Sequence, residues 1–257
     1  MPVPVPASVP VSVRLFQIRP PTPTGNPPSA PIASLGLGGA LAPGFAVPAR
    51  AAACWWAVVG ITLTLGCTPQ GDPGIGAGFF DDFERAELGA DYEKTGGNWR
   101  IENGELHVRG AKNHPLWLLR TLPRDVRVEL DARSETPDGD IKMEIFGDGV
   151  SRAKRESYEA TSYVIIFGGW ENSKNVLARM DEHGSDRVVD EARKVEVGRT
   201  HHFRIERRGG ILTVWVDDAI LLEMDDSDPL YGRGHDHFGF NNWQSDLWFD
   251  NLKITPL

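Results

Sequence analysis

The chain has 257 residues and a formal net charge of −9, with 36 acidic against 27 basic residues. The charge is uneven: residues 1–71 contain no acidic residue and only three arginines, so all 36 acidic and the other 24 basic residues lie beyond them, a net charge of −12. Because so acidic a surface repels phosphate, the composition argues against nucleic acid and against an anionic membrane surface as partners.

The first 49 residues are rich in proline and alanine. Twelve of the 19 prolines fall within residues 1–48. A segment of this composition buries too little apolar surface to offset its ordering entropy, so we expect residues 1–49 to be disordered. The alternative is a mis-assigned start codon, in which case the first 46 or so residues are not made in the cell.

Residues 50–67 have the layout of a secretory signal peptide. Arg50 precedes an apolar run, AAACWWAVVGITLTLG, which is short for a membrane span and ends at Cys67. The ending Thr64-Leu65-Gly66-Cys67 resembles the lipobox of bacterial lipoproteins, although leucine is preferred where Thr64 stands. The resemblance implies an exported protein of the bacterial cell envelope, held to the membrane only through lipid on Cys67. A plain signal peptide, an uncleaved anchor and a buried helix are the alternatives.

A flexible linker and one folded domain follow. Residues 68–78 form a Gly/Pro-rich tether, and residues 79–257 are long enough for one β-sandwich core. The two cysteines, Cys54 and Cys67, lie in or beside the apolar run. The domain therefore has no disulfide, thiolate nucleophile or cysteine-based zinc site.

Alternation of apolar and polar residues runs through the domain. It is clearest in residues 126–147, where two alternating runs flank the turn Pro137-Asp138-Gly139. A period of two with one apolar face predicts half-buried antiparallel strands. Of the remaining segments, only residues 185–197 are compatible with a helical turn. About a dozen short strands without a long helix predict an all-β antiparallel sandwich or barrel.

Local signals predict several turns and one bulge. Turns are expected at Asn103-Gly104, Gly209-Gly210 and Asp217-Asp218, and the first of them supplies the positive φ angles that a tight turn needs. In the last strand the apolar parity changes after Phe249, which predicts a bulge at Asp250-Asn251.

Two stretches carry a resemblance to a known superfamily. The start, FFDDFER…GGNWRIENGELHV, and the end, LTVWVDDAILLEM…DPLYGRGHDHFGFNNWQSDLWFDNLKI, are similar to the opening and closing strands of the concanavalin A-like lectin/glucanase superfamily. The resemblance spans residues 79–254. It implies a jelly-roll β-sandwich of the laminin-G-like kind. Since the superfamily includes lectins, glycoside hydrolases, lyases and adhesion modules, it implies little about activity.

Candidate catalytic carboxylates follow from that resemblance. Laminarinase-like glucanases carry Glu-x-Asp-x-Glu on one strand, with the first glutamate as nucleophile and the last as general acid. Glu129 and Asp131 match the first two positions, but Arg133 stands where the acid is required. The catalytic pattern is therefore incomplete.

Further acid/base candidates come from the residues themselves. Glu144 would face Glu129 if the two runs of residues 126–147 paired as neighbouring strands. The alternative is a charged ladder across the strands, in which three basic residues neutralise three carboxylates. They are Arg127, Arg133 and Lys142 against Glu129, Asp131 and Glu144. His183, beside Glu182, is a candidate base with its orienting partner.

Candidate sugar-binding residues combine aromatic rings with amides and charges. Tryptophan faces stack on pyranose rings, and neighbouring amides and carboxylates bind vicinal hydroxyls. The alternative is that the tryptophans close the ends of the core. The predicted substrate-binding residues are Trp170, Glu171, Asn172, Arg179, Asn242 and Trp243.

The superfamily resemblance also implies a structural calcium ion near the joined termini. Asp82 and Asp250 would supply the hard oxygen ligands that calcium prefers, and we expect no other cofactor. Two functions remain open. The first is an exported carbohydrate-binding protein that recognises a glycan or polysaccharide. The second is a glycoside hydrolase or polysaccharide lyase that uses paired carboxylates.

Overall fold

The structure, a computed structural model, describes residues 72–155 and 158–257. The predictions for the extension, the signal peptide and Cys67 lie outside these residues. Within the described ranges, no helix is both long and apolar enough to cross a membrane.

Fifteen strands and one short helical turn make up the described chain. In order they are β1 (Phe79–Asp81), β2 (Tyr92–Lys94), β3 (Arg100–Glu102), β4 (Glu105–Arg109), β5 (Leu116–Leu118), β6 (Val126–Ser134), β7 (Ile141–Gly147), β8 (Tyr163–Gly168), α1 (Gly169–Asn172), β9 (Lys174–Arg179), β10 (Val188–Asp190), β11 (His201–Arg208), β12 (Ile211–Val216), β13 (Ala219–Asp225), β14 (His237–Asn241) and β15 (Asp246–Pro256).

The strands form two antiparallel sheets. The first has the order β13-β12-β11-β6-β15-β4-β3, with β1 beside β15, and the second has the order β10-β9-β8-β7-β14-β5-β2. The predicted all-β antiparallel sandwich is confirmed. Its core lies between the sheets, where one face of every long strand is apolar.

Strands β6 and β7 illustrate how the core forms. On β6, Val128 and Leu130 point inward while Glu129 and Asp131 point outward. On β7, Met143 and Ile145 point inward, and Lys142 and Glu144 lie on the outer face. Period-two alternation thus gives each sheet one apolar inner face.

The expectation that β6 and β7 pair with each other is wrong. β6 pairs with β11 and β15, whereas β7 pairs with β8 and β14. The connection crosses from one sheet to the other, held by the Ser134 hydroxyl donating to the Gly139 carbonyl over 2.8 Å. Glu129 and Glu144 therefore lie on the outer faces of opposite sheets, and neither the carboxylate pair nor the charged ladder exists.

The predicted turns and bulge are confirmed. Both residues of Asn103-Gly104 and of Asp217-Asp218 have positive φ, as does Gly209. The register of β15 against β6 shifts between Asp250 and Lys253.

The helical turn expected within residues 185–197 is wrong. Val188 and Val189 pair with Leu177 and Val176 of β9 and form the edge strand β10. Consecutive β-branched residues suit an edge strand better than a helix.

Candidate functional site

A cleft of about 750 Å³ lies on the outer face of the second sheet, above β7 and β8. Its lining combines carboxylates with one lysine, one histidine and three aromatic rings. The aromatic residues of the lining are Tyr158, Trp170 and Trp243. A concave site that mixes a few polar groups with aromatic surface is the usual form of a small-molecule pocket.

Lys142 lies at the base of this cleft. Lys142 points to the outer face of the sheet, because it alternates along β7 with apolar residues that point inward. Loops cover this outer face, so Lys142 is only 2% exposed. Its Nζ donates to Asn113 Oδ1 over 2.7 Å and to a carboxylate oxygen of Glu182. These two partners compensate a buried cation, and an ammonium group has a third N–H to donate.

Asp140 lies immediately before β7 in the wall of the cleft. Its backbone N–H donates to the Gly168 carbonyl over 2.9 Å, while its Oδ2 is buried and accepts no hydrogen bond. Burial raises the pKa of Asp140 to about 6, although the Lys142 cation lowers it and the Glu182 carboxylate raises it further. A carboxyl group of this pKa can take up or release a proton near neutral pH.

Glu144 is fully buried beneath the cleft. Its carboxylate accepts hydrogen bonds from the Tyr158 hydroxyl over 2.6 Å, the Ser162 hydroxyl and the Asn241 amide. Burial raises its pKa, and these donors oppose the rise. Glu144 therefore holds Tyr158 and the neighbouring strands together, and it does not line the cleft.

Glu144 is expected to contribute stability. In Glu144→Ala, three buried donors lose their acceptor, and we expect the free energy of unfolding to fall by about 3 kcal/mol. Glu144→Gln keeps an acceptor oxygen and a similar volume, so its loss should be about 1 kcal/mol. Urea denaturation at pH 7 measures both values, and equal stability of the two variants would contradict this role.

The segment that carries Trp170 has a left-handed backbone. Trp170 and Glu171 have φ of 50° and 58°, and Gly168 before them has φ of 76°. Such residues cost roughly 1–2 kcal/mol each, and strain of this kind concentrates at functional sites. The Asn172 side chain stabilises the turn by hydrogen bonds of 2.8 and 2.9 Å to the Val195 backbone.

Trp170 is packed on several sides. The His183 ring meets it edge-on at 5.6 Å, and the Arg187 guanidinium lies 5.3 Å from its centroid. Trp170 also packs on the apolar patch of the sheet formed by Val164, Ile166 and their neighbours. By contrast, Trp243 is 43% exposed, so its ring has the larger surface free for a ligand.

Four of the residues predicted from the sequence meet in the cleft. They are Trp170, Glu171, His183 and Trp243. His183 stands at the exposed rim with its Nε2 3.7 Å from Glu182. The roles of these four residues in binding or catalysis stay predictions.

The other predicted substrate-binding residues make structural contacts and do not line the cleft. Asn172 holds the left-handed turn. Asn242 is buried, accepting from the Ala111 backbone and donating to the Ser245 carbonyl. Arg179 pairs with Asp226 at 3.0 Å.

Glu129 and Asp131 lie on the opposite sheet, away from this cleft. Asp131 is 2.8 Å from the His202 ring and accepts from the Asn251 amide, and Glu129 is 3.9 Å from Lys253. The structure does not bring them together with Glu144 or His183. The combined catalytic set expected from the sequence is therefore incorrect.

The residues predicted to bind calcium are partly engaged by the backbone. Asp82 accepts from the Glu84 N–H at 3.2 Å and Asp250 from the Asn251 N–H at 2.7 Å. Burial raises the pKa of Asp250, and nearby carboxylates add to the rise. In the described part of the chain, no three His, Cys, Asp or Glu side chains are grouped to hold a metal. Calcium binding remains a prediction.

Sequence reasoning missed Asp140, Asn113 and Tyr158, and it assigned Lys142 to a surface ladder. Only one signal was available: Lys142 alternates with inward apolar residues and therefore faces outward. Nothing local indicated that loops distant in sequence would enclose that face.

Comparisons with known proteins agree with this architecture. The family model described as "3-keto-alpha-glucoside-1,2-lyase-like domain" matches residues 82–255. No curated protein matches the sequence.

Solved structures resemble this one in fold. A protein of unknown function with a galectin-like fold from Bacillus subtilis has a TM-score of 0.53 at 13% identity, covering 69% of this chain and 94% of that one. A laminarinase from Flavobacterium sp. UMI-01 has a TM-score of 0.51 at 11% identity, covering 69% and 98%. The carbohydrate recognition domain of Emp47p has a TM-score of 0.50 at 12% identity, covering 70% and 95%. The predicted concanavalin A-like jelly-roll sandwich is confirmed.

Proposed function

Because the chain belongs to the family of 3-keto-alpha-glucoside-1,2-lyase-like domains, we propose that it is an enzyme that cleaves a 3-keto-α-glucoside by elimination. The observation that carries the proposal is Asp140, a carboxyl group in the wall of the cleft whose pKa burial raises to about 6. Such a group is suited to remove a proton from carbon at neutral pH.

The reaction begins with the ketone at C3, which acidifies the hydrogen on C2. Asp140 takes that proton, and the C–H electrons form an enolate with the C3 oxygen. The enolate then collapses to a C1–C2 double bond, the C1–oxygen bond breaks, and the aglycone leaves with its oxygen. A proton returns to that oxygen, so the products are an unsaturated keto sugar and a free alcohol.

Lys142 stabilises the negative charge that develops on the C3 oxygen. It is a buried cation with two fixed acceptors, and a fixed cation in a site shielded from water acts strongly on a developing oxyanion. His183, at the rim, supplies the proton to the leaving oxygen.

The test uses the full chain with methyl 3-keto-α-glucoside. Elimination yields an unsaturated sugar visible by NMR, whereas hydrolysis yields 3-ketoglucose. Deuterium at C2 should slow the elimination and be absent from the sugar product. Release of 3-ketoglucose with no isotope effect would contradict elimination.

A carbohydrate-recognition protein is the second candidate, and the exposed ring of Trp243 favours it. Binding of the same glucoside without release of methanol would support this candidate. Asp140 and Lys142 favour the enzyme, because a binding site gains nothing from a carboxyl group whose pKa is raised to about 6 in the same cleft as a buried cation.

Trp243 is expected to contribute to sugar binding under either function. Trp243→Ala removes a ring that can cover the apolar face of a pyranose, so KM, or Kd for a non-reacting sugar, should rise about tenfold, or roughly 1.4 kcal/mol. Phe80→Ala, which removes another exposed ring on β1, is the matched control. Equal effects of the two substitutions would contradict a specific role of Trp243.

Export and lipid anchoring at Cys67 are part of the proposal, supported by the charge, apolar run and lipobox-like ending of residues 50–67. In a bacterial host, labelled palmitate should be incorporated into the wild-type chain and into Cys54→Ser. Cys67→Ser should incorporate none. Label in Cys67→Ser would exclude this lipidation site.

A further inference from the structure

Asn113 belongs to a loop whose backbone is fixed on several sides. The Lys112 N–H donates to the Trp243 carbonyl over 2.9 Å, and the Asn113 N–H donates to the Asn242 carbonyl over 2.8 Å. The Asn113 carbonyl accepts from the Ala153 N–H over 2.8 Å. The loop is therefore anchored both to the chain that carries Trp243 and to the segment at Ala153.

The loop backbone is also strained. Lys112 and Asn113 are consecutive left-handed residues, with φ of 52° and 59°. Lys112 is exposed, whereas Asn113 is only 7% exposed. Asparagine tolerates the left-handed conformation better than most residues. The backbone can therefore hold the Asn113 side chain in one position at a small cost in strain.

The buried amide of Asn113 reaches one functional group. Its Oδ1 accepts from Lys142 Nζ over 2.7 Å, on a strand 29 residues further along the chain. Asn113 is neutral, so it orients the ammonium without neutralising it, whereas Glu182 on the other side supplies a compensating charge. With two N–H groups fixed by partners on different loops, the direction of the third is also fixed.

We infer that Asn113 is a positioning residue, whose amide oxygen directs the third N–H of Lys142 at the ketone oxygen of the substrate. The inference rests on the proposed elimination. Without Asn113, the ammonium relaxes toward Glu182, its stronger acceptor, and its third N–H no longer points at the ketone. A small displacement of a catalytic charge is enough to slow a reaction strongly.

Asn113→Gly is the appropriate variant, because glycine adopts the left-handed conformation without strain and only the side chain is lost. Lys112→Gly is the matched control, since it relaxes the neighbouring left-handed residue and leaves Asn113 in place. We expect kcat of Asn113→Gly to fall by about 10- to 100-fold, with KM changed less than threefold. Lys112→Gly should stay within threefold of the wild type.

A second measurement does not depend on turnover. The Lys142 cation lowers the pKa of Asp140, so a displacement of this cation in Asn113→Gly should shift that pKa from the wild-type value of about 6. Carbon NMR of labelled aspartate carboxyl groups follows this titration in the free protein. The acid limb of the kcat/KM profile should shift by the same amount and in the same direction.

The outcomes separate the two proposals. If the wild-type chain eliminates the aglycone but Asn113→Gly matches Lys112→Gly in kcat, the positioning role is wrong and the proposed reaction stands. If the wild-type chain does not react, the proposed reaction is wrong, and the NMR titration decides whether Asn113 positions Lys142. An unchanged pKa of Asp140 in Asn113→Gly overturns the inference in either case.

Discussion

Asp140→Asn is expected to lower kcat for a 3-keto-α-glucoside by about 10²- to 10⁴-fold, the usual contribution of a general base. Asparagine has nearly the same shape but cannot take the C2 proton. Glu159→Gln is the control, because Glu159 also lines the cleft and is not one of the groups that shift the pKa of Asp140. Initial rates from NMR or absorbance measure the effect, and more than a tenth of wild-type activity in Asp140→Asn would exclude Asp140 as the base.

The pH dependence of the wild-type reaction follows from the same group. Asp140 acts as the carboxylate, so kcat/KM should rise about tenfold per pH unit and level off above its pKa of about 6. The charged groups that set this value are Lys142, which lowers it, and Glu182 and Asp138, which raise it. The limb should be absent in the residual activity of Asp140→Asn.

Stability should change with pH in the opposite sense. The pKa of Asp140 in the folded protein, about 6, lies above its ordinary value of 3.8, so folding disfavours the ionised form. The contribution of Asp140 to stability is complete below about pH 4 and is lost as the pH rises through about 6. Asp140→Asn removes this loss. The Tm of the variant minus the Tm of the wild type should therefore be larger above pH 6 than at pH 4.

Lys142→Met is expected to lower kcat by about 10²- to 10³-fold, because it removes the cation that faces the developing enolate while keeping an unbranched side chain of most of its length. It should also move the acid limb of the pH profile above 6, since the cation that lowers the pKa of Asp140 is lost. A rise in KM with kcat unchanged would show that Lys142 contributes only to binding.

Stability must be separated from chemistry in this variant, because Lys142→Met leaves the Glu182 carboxylate without its partner. Removing one partner of a buried pair costs about 3–5 kcal/mol, and the partial exposure of Glu182 reduces this cost. The double variant Lys142→Met/Glu182→Gln should recover much of the stability measured by urea denaturation and none of the activity. Recovery of activity would contradict the role of Lys142.

The secondary structure of this protein was largely determined by local sequence. Alternation along residues 126–134 and 141–147 predicted strands that the structure contains. The Asn103-Gly104 turn followed from two residues that tolerate positive φ. The bulge near Asp250 followed from the change in the alternation of apolar residues along the last strand. Side-chain chemistry alone also indicated Trp170, His183 and Trp243, because aromatic faces stack on sugar rings and a histidine beside a carboxylate can act as a base.

Only the tertiary structure decided which strands pair and which residues form the cleft. Alternation reports that a strand has an apolar face but not which neighbour it pairs with, so β6 and β7 were expected in one sheet and lie in two. The central group of the cleft depends on contacts between residues 29 and 40 positions apart, Asn113 with Lys142 and Lys142 with Glu182. Loops that are distant in sequence enclose the Lys142 cation and bury Asp140, which raises the pKa of Asp140. No local pattern of residues encodes this burial.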